Sequence, residues 1–199
     1  MHVLLEKVCF TKRGYIHGLL NLCLVLLVVV FAAGPWIGAD AQQVNVTLFT
    51  ESQCPFCTRL LREQVWQFHT TRPGIINLQI VPFGKGNCEY TPDRRLLCKC
   101  MHGPTECDLN RLQNCAISYF PRRHLGLVTC IQGLKNLDEA FQRCLSRLTP
   151  RTQHRLMECA KTQTGEVLNY YSMLNTHRAG IRFGQLLTLM VNSLTGVTT

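Results

Sequence analysis

The chain has 199 residues, of which 46% are hydrophobic and 17% charged, and it carries a formal net charge of +9. This length and composition suit one folded domain and exclude collagen-like, coiled-coil and disordered chains, because no glycine period, sustained heptad or long polar tract is present. The basic residues form no long run and no aromatic platform lies among them, so the charge predicts a solvated positive surface and no nucleic-acid partner.

The first 41 residues are typical of a secretory signal peptide. Basic residues precede an unbroken apolar run over residues 22–34, and Ala39-Asp40-Ala41 supplies small residues for a cleavage site. We therefore predict cleavage after Ala41 and a mature domain over residues 42–199. The alternative is an uncleaved signal anchor, because the run can be extended to residues 19–36 and a bilayer needs about 20 residues. This segment would then be the only contact with a membrane.

The cysteine content predicts a secreted, disulfide-bonded protein. Cleavage would remove Cys9 and Cys23 from the 12 cysteines and leave ten in an oxidising compartment. An even number in such a chain indicates a disulfide framework, whose pairing the sequence does not determine. Asn45-Val46-Thr47 is an acceptor for N-glycosylation in the same compartment, and the alternative for Asn45 is an unmodified side chain in a strand.

The first elements after the signal segment predict a βαβ unit. Alternating apolar and polar residues indicate a strand over residues 44–50, which runs into Cys54-Pro55-Phe56-Cys57 and an apolar pattern at helical spacing. Pro73-Gly74 ends this helix, and residues 75–81 indicate a second strand. A strand, helix and strand in about 40 residues have the size of a right-handed crossover between parallel strands.

A helical block is predicted after the βαβ unit. The segment from Cys88 indicates a cysteine-rich loop, and apolar residues at helical spacing then indicate helices over residues 107–175. Within this block, Thr149-Pro150 predicts an N-cap and a first helical position. Residues 181–191 are rich in Leu, Ile, Phe and Val and predict a last strand of the same sheet.

Cys54 and Cys57 are the candidate catalytic residues. Two thiols three positions apart at the start of a helix can close a small disulfide ring and reopen it by exchange. Unpaired N–H groups and the helix dipole stabilise a thiolate there, which predicts an exposed Cys54 with a pKa below the ordinary value of about 8.5. We therefore predict that Cys54 attacks a substrate disulfide and that the shielded Cys57 resolves the mixed disulfide.

Two other roles for this cysteine pair remain open. Among many cysteines of a secreted chain, CxxC can contribute to two structural bridges or to a zinc site. The zinc site is disfavoured because the chain has no second CxxC, and Cys98-Lys99-Cys100 is the only other close pair. Redox chemistry is therefore the favoured interpretation, and no metal site is predicted.

The segment from Cys100 to Cys115 resembles the signature of the gamma-interferon-inducible lysosomal thiol reductase (GILT) family. That signature is C-Q-H-G-x2-E-C-x2-N-x4-C, and every fixed position matches except Met101, which stands where the family has Gln. The upstream CxxC, the signal segment and the helical block agree with the family in order and spacing. The resemblance extends over about residues 43–175.

The resemblance implies an α/β protein with a thioredoxin-like fold and a helical, disulfide-rich insertion at about residues 88–175. It implies a reductase of protein disulfides that is secreted or acts in endosomes or lysosomes at acidic pH, with Cys54 as nucleophile and Cys57 as resolving thiol. No bound cofactor is expected, and an external small thiol would be the reductant. The cysteines expected to form structural disulfides are Cys88, Cys98, Cys100, Cys107, Cys115, Cys130, Cys144 and Cys159.

No catalytic role is predicted for the remaining signature residues, and the C-terminal part departs from the family pattern. His102, Glu106 and Asn110 indicate only a solvated histidine and helix-capping side chains. The family places a proline, usually as a cis peptide, opposite the CxxC, but here Gly184 or Gln185 takes that place. Because a cis bond before a non-proline residue costs about 2.5–4 kcal/mol, we predict a trans peptide. The missing proline and short C-terminus leave a second function open, a catalytically silent binding module.

Overall fold

The computed structural model describes residues 43–181 and 189–192. The predicted signal peptide over residues 1–41 and the Gly184-Gln185 segment lie outside the described residues. In the part of the chain that is described, no helix is long and apolar enough to cross a membrane.

A three-stranded mixed sheet forms the first layer, with strand order β2-β1-β5. The central strand β1 (Val44–Phe49) pairs in parallel with β2 (Ile76–Val81) and antiparallel with β5 (Leu189–Asn192). The predicted strand–helix–strand order and the parallel pairing are therefore confirmed. Of the predicted last strand over residues 181–191, residues 189–191 lie in β5, Ile181 is not in a strand, and residues 182–188 are not described.

One continuous helical segment connects β1 to β2. It comprises α1 (Pro55–Arg59), a π-helical stretch (Leu60–Val65) and α2 (Trp66–Thr71). Pro55 is the first helical residue, where its missing N–H costs nothing, and the segment ends before Pro73-Gly74 as predicted. The side chain of Leu61 is fully buried and fastens this segment to the core.

A β-hairpin lies where the sequence predicted only a cysteine-rich loop, so that prediction was wrong. Strand β3 (Gly86–Tyr90) pairs antiparallel with β4 (Leu96–Cys100). Cys88 stands directly opposite Cys98 in the register, and the two form a disulfide. Periodicity missed the hairpin because each strand has only five residues and their pairing is fixed by a covalent bond.

The predicted helical block is confirmed, with one additional helix that the sequence prediction missed. Thr149 caps its helix as expected, because its side-chain oxygen accepts a hydrogen bond from the Thr152 N–H. The helices of this block are α3 (Pro104–Tyr119), the additional α4 (Leu125–Ile131), α5 (Leu137–Ala140) with a π-helical continuation (Phe141–Leu145), α6 (Pro150–Lys161) and α7 (Gln163–Arg178).

One apolar core joins the helical block to the sheet. Leu48 of β1, Leu109 and Leu112 of α3, and Leu156 of α6 belong to the same cluster of fully buried side chains. Each such residue removes enough apolar surface from water to stabilise the fold by about 1.5–3 kcal/mol. The helical block therefore packs directly on the elements that carry the CxxC.

Four disulfides fasten the hairpin and the helices. One closes the hairpin, one joins β4 to α3, one joins α3 to α6, and one joins α4 to the π-helical stretch after α5. The sequence left this pairing open, and the pairs are Cys88–Cys98, Cys100–Cys107, Cys115–Cys159 and Cys130–Cys144.

Candidate active site

Cys54 and Cys57 lie at the start of the helical segment that follows β1. Cys54 is the N-cap residue of α1, and Cys57 lies one turn inside the helix. Both are free thiols, whereas every other cysteine in the described residues is disulfide-bonded. This position next to the end of β1 agrees with the predicted placement of the pair.

The expectation of an exposed Cys54 is wrong, because Cys54 and Cys57 are both only 3% exposed. In the loop before Cys54, Thr50, Glu51 and Ser52 are buried and Gln53 is partly exposed. The loop turns back on itself, with the Cys54 N–H donating to the Glu51 carbonyl at 3.2 Å. Its cover comes from α3 and the turn after α4, which local sequence patterns could not reveal.

The environment of Cys57 favours the protonated thiol. Burial raises the pKa of Cys57 far above its ordinary value; the Glu51 backbone opposes this shift in part, and the neighbouring Cys54 and Glu51 side chains add to it. Cys57 therefore stays a thiol at neutral and acidic pH. Because the thiolate is the nucleophile in disulfide exchange, any reaction of Cys57 requires removal of its proton.

Signature residues on α3 hold the loop that precedes Cys54. The Asn110 side-chain oxygen accepts the Ser52 N–H at 2.9 Å, and the Ser52 hydroxyl donates to the Glu106 carbonyl at 3.1 Å. A Glu106 carboxylate oxygen accepts the Gln53 N–H at 3.4 Å. Glu106 and Asn110 are buried, so the expectation that they are simple helix caps is incomplete: they bind the loop that leads to Cys54.

The turn after α4 holds the same loop from the other side. The Gln132 side-chain amide donates to the Glu51 carbonyl at 2.7 Å, and the Gly133 N–H donates to the Ser52 carbonyl at 2.7 Å. Gly133 has a φ of +78°, and a Cβ there would lie 2.8 Å from the Thr58 side chain. Sequence reasoning missed these contacts, since nothing near Gln132 marks it as a neighbour of the CxxC.

Glu51, His102 and Glu106 form a compact charge cluster beside this loop. His102 Nδ1 lies 2.5 Å from Glu106 Oε2 and 3.6 Å from Glu51 Oε2. Burial, and then the nearby Glu106 carboxylate, raise the pKa of Glu51 above its ordinary value. The sequence expectation of a solvated His102 is therefore only half right, because its ring is partly exposed but engaged by both carboxylates.

Within the described residues, this cluster is the one group of His, Cys, Asp and Glu side chains close enough to share a metal ion, with donor atoms within 4.8 Å of one another. Both carboxylate oxygens of Glu106 are already hydrogen-bonded inside the protein. Glu106 Oε1 accepts the His102 N–H, and Glu106 Oε2 meets both the imidazole and the Gln53 N–H. The described contacts therefore define a hydrogen-bonded charge cluster, and the absence of a metal site stays a prediction.

Asn45 lies on the central strand β1, where its side chain is half-buried. Its side-chain oxygen accepts a hydrogen bond from the Asn77 amide at 2.8 Å. Glycosylation uses the amide nitrogen, which this contact leaves free. The modification of Asn45 stays a prediction.

Residues 45–148 match the family model described as "Gamma interferon inducible lysosomal thiol reductase (GILT)". The chain belongs to the GILT family. It is 38% identical over 142 residues to GILT-like protein C02D5.2 of Caenorhabditis elegans, an alignment that covers 68% of this chain and 43% of that protein. It is 27% identical over 139 residues to the gamma-interferon-inducible lysosomal thiol reductase of Carassius auratus, covering 69% of this chain and 55% of that protein. The chain thus spans about half the length of these relatives, and the family resemblance of its sequence is confirmed.

Solved structures with the same fold are thioredoxin-like. A DsbA from Chlamydia trachomatis matches with a TM-score of 0.51 at 16% identity, over 75% of each chain. A thioredoxin-like oxidoreductase from Silicibacter pomeroyi matches with a TM-score of 0.52 at 14% identity, over 78% of each chain. At such identities the likeness shows the fold alone, and it confirms the predicted thioredoxin-like class with a disulfide-bonded helical block.

Proposed function

We propose that this chain is a thiol-disulfide oxidoreductase that reduces disulfide bonds of protein substrates through Cys54 and Cys57. One observation carries the proposal: these two thiols are free at the start of α1, while the other eight cysteines of the described chain are disulfide-bonded. A pair kept free in a disulfide-rich protein suits exchange better than a structural bridge. Membership of the GILT family supports the same reaction class.

The reaction has two exchange steps. The Cys54 thiolate attacks one sulfur of the substrate disulfide, so that a mixed disulfide forms and the other substrate sulfur leaves as a thiolate that takes up a proton. Cys57 then attacks Cys54 Sγ, which closes the Cys54–Cys57 disulfide and releases the second substrate thiol. Two electrons pass from the cysteine pair to the substrate. An external small thiol restores the pair by the reverse exchange.

The proposed location is the secretory pathway, either outside the cell or in endosomes or lysosomes, where the reaction takes place at acidic pH. Four disulfides support an oxidising compartment. This part of the proposal includes cleavage after Ala41 and glycosylation of Asn45. Expression in secretory cells tests both: N-terminal sequencing identifies the cleavage point, and Asn45→Gln removes a glycosidase-sensitive mass shift.

A trapping experiment tests the reaction itself. The Cys57→Ser variant is incubated with a denatured, disulfide-containing protein at pH 5 and pH 7, and adducts are separated on a non-reducing gel. We expect a mixed disulfide through Cys54 that a small thiol releases. The matched control is Cys54→Ser with Cys57→Ser, which can form no adduct at this pair. Absence of an adduct with Cys57→Ser at both pH values contradicts the proposal.

The second candidate is a catalytically silent binding module on the same scaffold. It is favoured by the burial of both thiols, each in a residue only 3% exposed. Under this function, neither Cys54 nor Cys57 reacts with iodoacetamide unless denaturant is present. Alkylation of Cys54 in the native protein, located by peptide mass spectrometry, decides in favour of the reductase.

A further inference from the structure

The Cys130–Cys144 disulfide differs from the other three in its exposure to solvent. Both of its cysteines are partly exposed, whereas each of the other three bridges in the described chain includes at least one buried cysteine. We propose that this disulfide is a second exchange site, which a small thiol opens, and that its opening uncovers Cys54. This role rests on the proposed function, because uncovering Cys54 matters only if it reacts with substrates.

Access decides which disulfide of a folded protein a small thiol attacks. The attacking thiolate must reach one sulfur of the bridge, so exposed disulfides are the ones that are readily reduced. Cys144 lies in the π-helical stretch after α5, and the neighbouring residues Gln142, Arg143, Ser146 and Arg147 are all exposed. The Cys144 end of the bridge is therefore the side from which a small thiol approaches.

Positive charge beside the bridge favours an anionic thiol. Arg143 directly precedes Cys144, and Arg147 follows it by three positions. The Arg143 guanidinium is 61% exposed and pairs with Glu139 at 2.9 Å, while Arg147 is also exposed. Because a small thiol such as glutathione carries carboxylates and attacks as a thiolate, this net positive surface raises its local concentration.

The bridge closes a loop that contains the turn after α4. Its two cysteines are 14 positions apart, and residues 132–135 lie between them. Cys130 lies in the last turn of α4, two positions before Gln132. A disulfide restricts the conformations open to the chain that it encloses, so its reduction gives the turn more freedom to leave its native contacts.

This turn is hydrogen-bonded to the loop and the helix that carry the CxxC. The Gln132 side-chain amide donates to the Glu51 carbonyl at 2.7 Å and to the Thr58 hydroxyl at 3.2 Å. The Gly133 N–H donates to the Ser52 carbonyl at 2.7 Å. Gln132 is fully buried, so these bonds are shielded from competition with water while the turn is in place.

Gln53, the residue immediately before Cys54, is bound to the same turn. Its side-chain amide donates to the Leu134 carbonyl at 3.3 Å and to the Lys135 carbonyl at 2.9 Å. Each residue from 51 to 53 thus has a hydrogen bond to the turn, and Cys54 behind them is only 3% exposed. Release of the turn removes these contacts and opens a path to the Cys54 sulfur.

The apolar core limits the expected change to this region. Val128 and Ile131 of α4 are fully buried before the turn, and Leu137 is buried after it. These contacts do not depend on the disulfide. We therefore expect reduction to loosen the turn while the helical block stays folded, which is a local opening and not a global one.

The opening reaction balances in atoms and electrons. The thiolate of a small thiol attacks one sulfur of the Cys130–Cys144 bridge and forms a mixed disulfide, and the other cysteine leaves as a thiolate that takes up a proton. A second small thiol attacks the small-thiol sulfur of this adduct, which frees the remaining cysteine and yields the disulfide of the small thiol. Two electrons pass from the two small thiols to the bridge. The same class of reagent restores the Cys54–Cys57 pair.

Graded reduction of the unsubstituted protein tests the exchange site. The full-length protein is incubated without oxygen at increasing concentrations of reduced glutathione, labelled briefly with iodoacetamide and analysed by peptide mass spectrometry. We expect Cys130 and Cys144 to be labelled at lower glutathione concentrations than any other bridged cysteine, and labelling of Cys54 to become faster over the same range. If another bridge opens first, or if labelling of Cys54 does not follow the opening of this bridge, the proposal is wrong.

Two double variants separate release of the turn from a general loss of stability. In Cys130→Ser with Cys144→Ser, we expect Cys54 alkylation to be about tenfold faster or more, well within the stabilisation that a disulfide gives a loop of about 15 residues. The matched control is Cys88→Ser with Cys98→Ser, whose sequence separation of 10 is similar. No described hydrogen bond joins these two cysteines to the CxxC loop, so this control should leave the rate unchanged. Equal rates in the two variants contradict the proposal.

Substrate trapping distinguishes failure of this proposal from failure of the proposed function. The Cys57→Ser trap is run with and without the additional replacements Cys130→Ser and Cys144→Ser. Faster adduct formation in the protein without the bridge supports both proposals. Equal rates of adduct formation keep the reductase and overturn the role of the bridge. If neither protein forms an adduct although Cys54 is alkylated faster without the bridge, the proposed function is wrong and the second exchange site is still supported.

Discussion

His102 Nδ1 lies 2.5 Å from Glu106 Oε2, and the same carboxylate oxygen accepts the N–H of Gln53, the residue immediately before Cys54. Two residues of the GILT signature are thus joined to each other and to the CxxC loop, although the loop and the signature are far apart in the sequence. The Cys100–Cys107 disulfide encloses both signature residues and fixes the start of α3. The signature therefore has a physical role in holding the loop.

Asn110→Ala should destabilise the protein and loosen the CxxC loop. It removes the acceptor of the buried Ser52 N–H, and an unsatisfied buried donor costs about 1–3 kcal/mol. We expect urea unfolding to show a decrease of that size in the free energy of unfolding. We also expect faster alkylation of Cys54 in the native protein. The matched control is Asn114→Ala on the same helix, where the lost partners are Asn169 and Ser172. Equal alkylation rates in the two variants would argue against a specific hold on the loop.

Glu51 should make the stability of the protein depend on pH. Burial raises the pKa of Glu51, so the native chain keeps this proton to higher pH than the unfolded chain, whose ordinary value is 4.5. The free energy of unfolding then falls as pH rises from about 4.5 through the raised native pKa, and this contribution is constant above it.

Replacement by Gln removes that dependence. Urea unfolding at pH 4, 5.5 and 7 should therefore show Glu51→Gln gaining stability relative to the unsubstituted protein, with a larger gain at pH 7 than at pH 4. Glu158→Gln is the control, because the Glu158 side chain is 63% exposed. A gain that is the same at every pH would mean that the effect comes from packing and not from titration.

The disulfides should contribute to stability in order of loop length. Cys115–Cys159 has a sequence separation of 44, and Cys88–Cys98 has one of 10. If the bonds act mainly by restricting the unfolded chain, replacing each pair by alanines costs about 4 and about 2.7 kcal/mol respectively. Guanidinium unfolding of the two double variants measures the difference. A larger loss of stability on replacing Cys88 and Cys98 would show that contacts around the hairpin disulfide matter more than the entropy of the unfolded chain.

The sequence was sufficient for the parts of the fold that local patterns encode. Alternation and helical spacing predicted β1, the helix after Cys54 and β2, and Thr149-Pro150 marked the start of α6. The hairpin of β3 and β4 was missed because its strands are short and a disulfide sets their register. Local patterns carry no information about that covalent constraint.

The candidate site was predicted only in part, for a related reason. The cysteine motif itself located the thiols, but the burial of Cys54 depends on cover from α3 and from the turn after α4. The Ser52–Asn110 and Ser52–Gly133 hydrogen bonds each join residues more than 50 positions apart in the chain. Such contacts follow from tertiary packing, so neither composition nor periodicity could have predicted them.

Gly133→Ala should disturb the CxxC helix through contact with the Thr58 side chain. Gly133 has a φ of +78°, and an added Cβ would lie 2.8 Å from Thr58 Cγ2, while Gly74, with a φ of +85°, has nothing within 4 Å of such a Cβ. Both replacements incur a backbone strain of about 1 kcal/mol. The stability that Gly133→Ala loses beyond the loss in Gly74→Ala therefore measures the contact with Thr58. Because the Thr58 hydroxyl donates to the Cys54 carbonyl at 2.9 Å, we expect this variant also to change the alkylation rate of Cys54.

Combining Gly133→Ala with Thr58→Ser tests whether the Thr58 methyl group causes the effects of Gly133→Ala. Serine lacks the Cγ2 atom that the new Cβ would meet but keeps the hydroxyl that bonds the Cys54 carbonyl. Guanidinium unfolding of the double variant should therefore recover the part of the excess stability loss that Cγ2 causes, while the hydroxyl oxygen, 3.0 Å from such a Cβ, leaves a smaller part. Alkylation of Cys54 should return toward the rate of Thr58→Ser alone. If Thr58→Ser restores neither quantity, the turn after α4 acts on the CxxC through its hydrogen bond to Ser52 and not through Thr58.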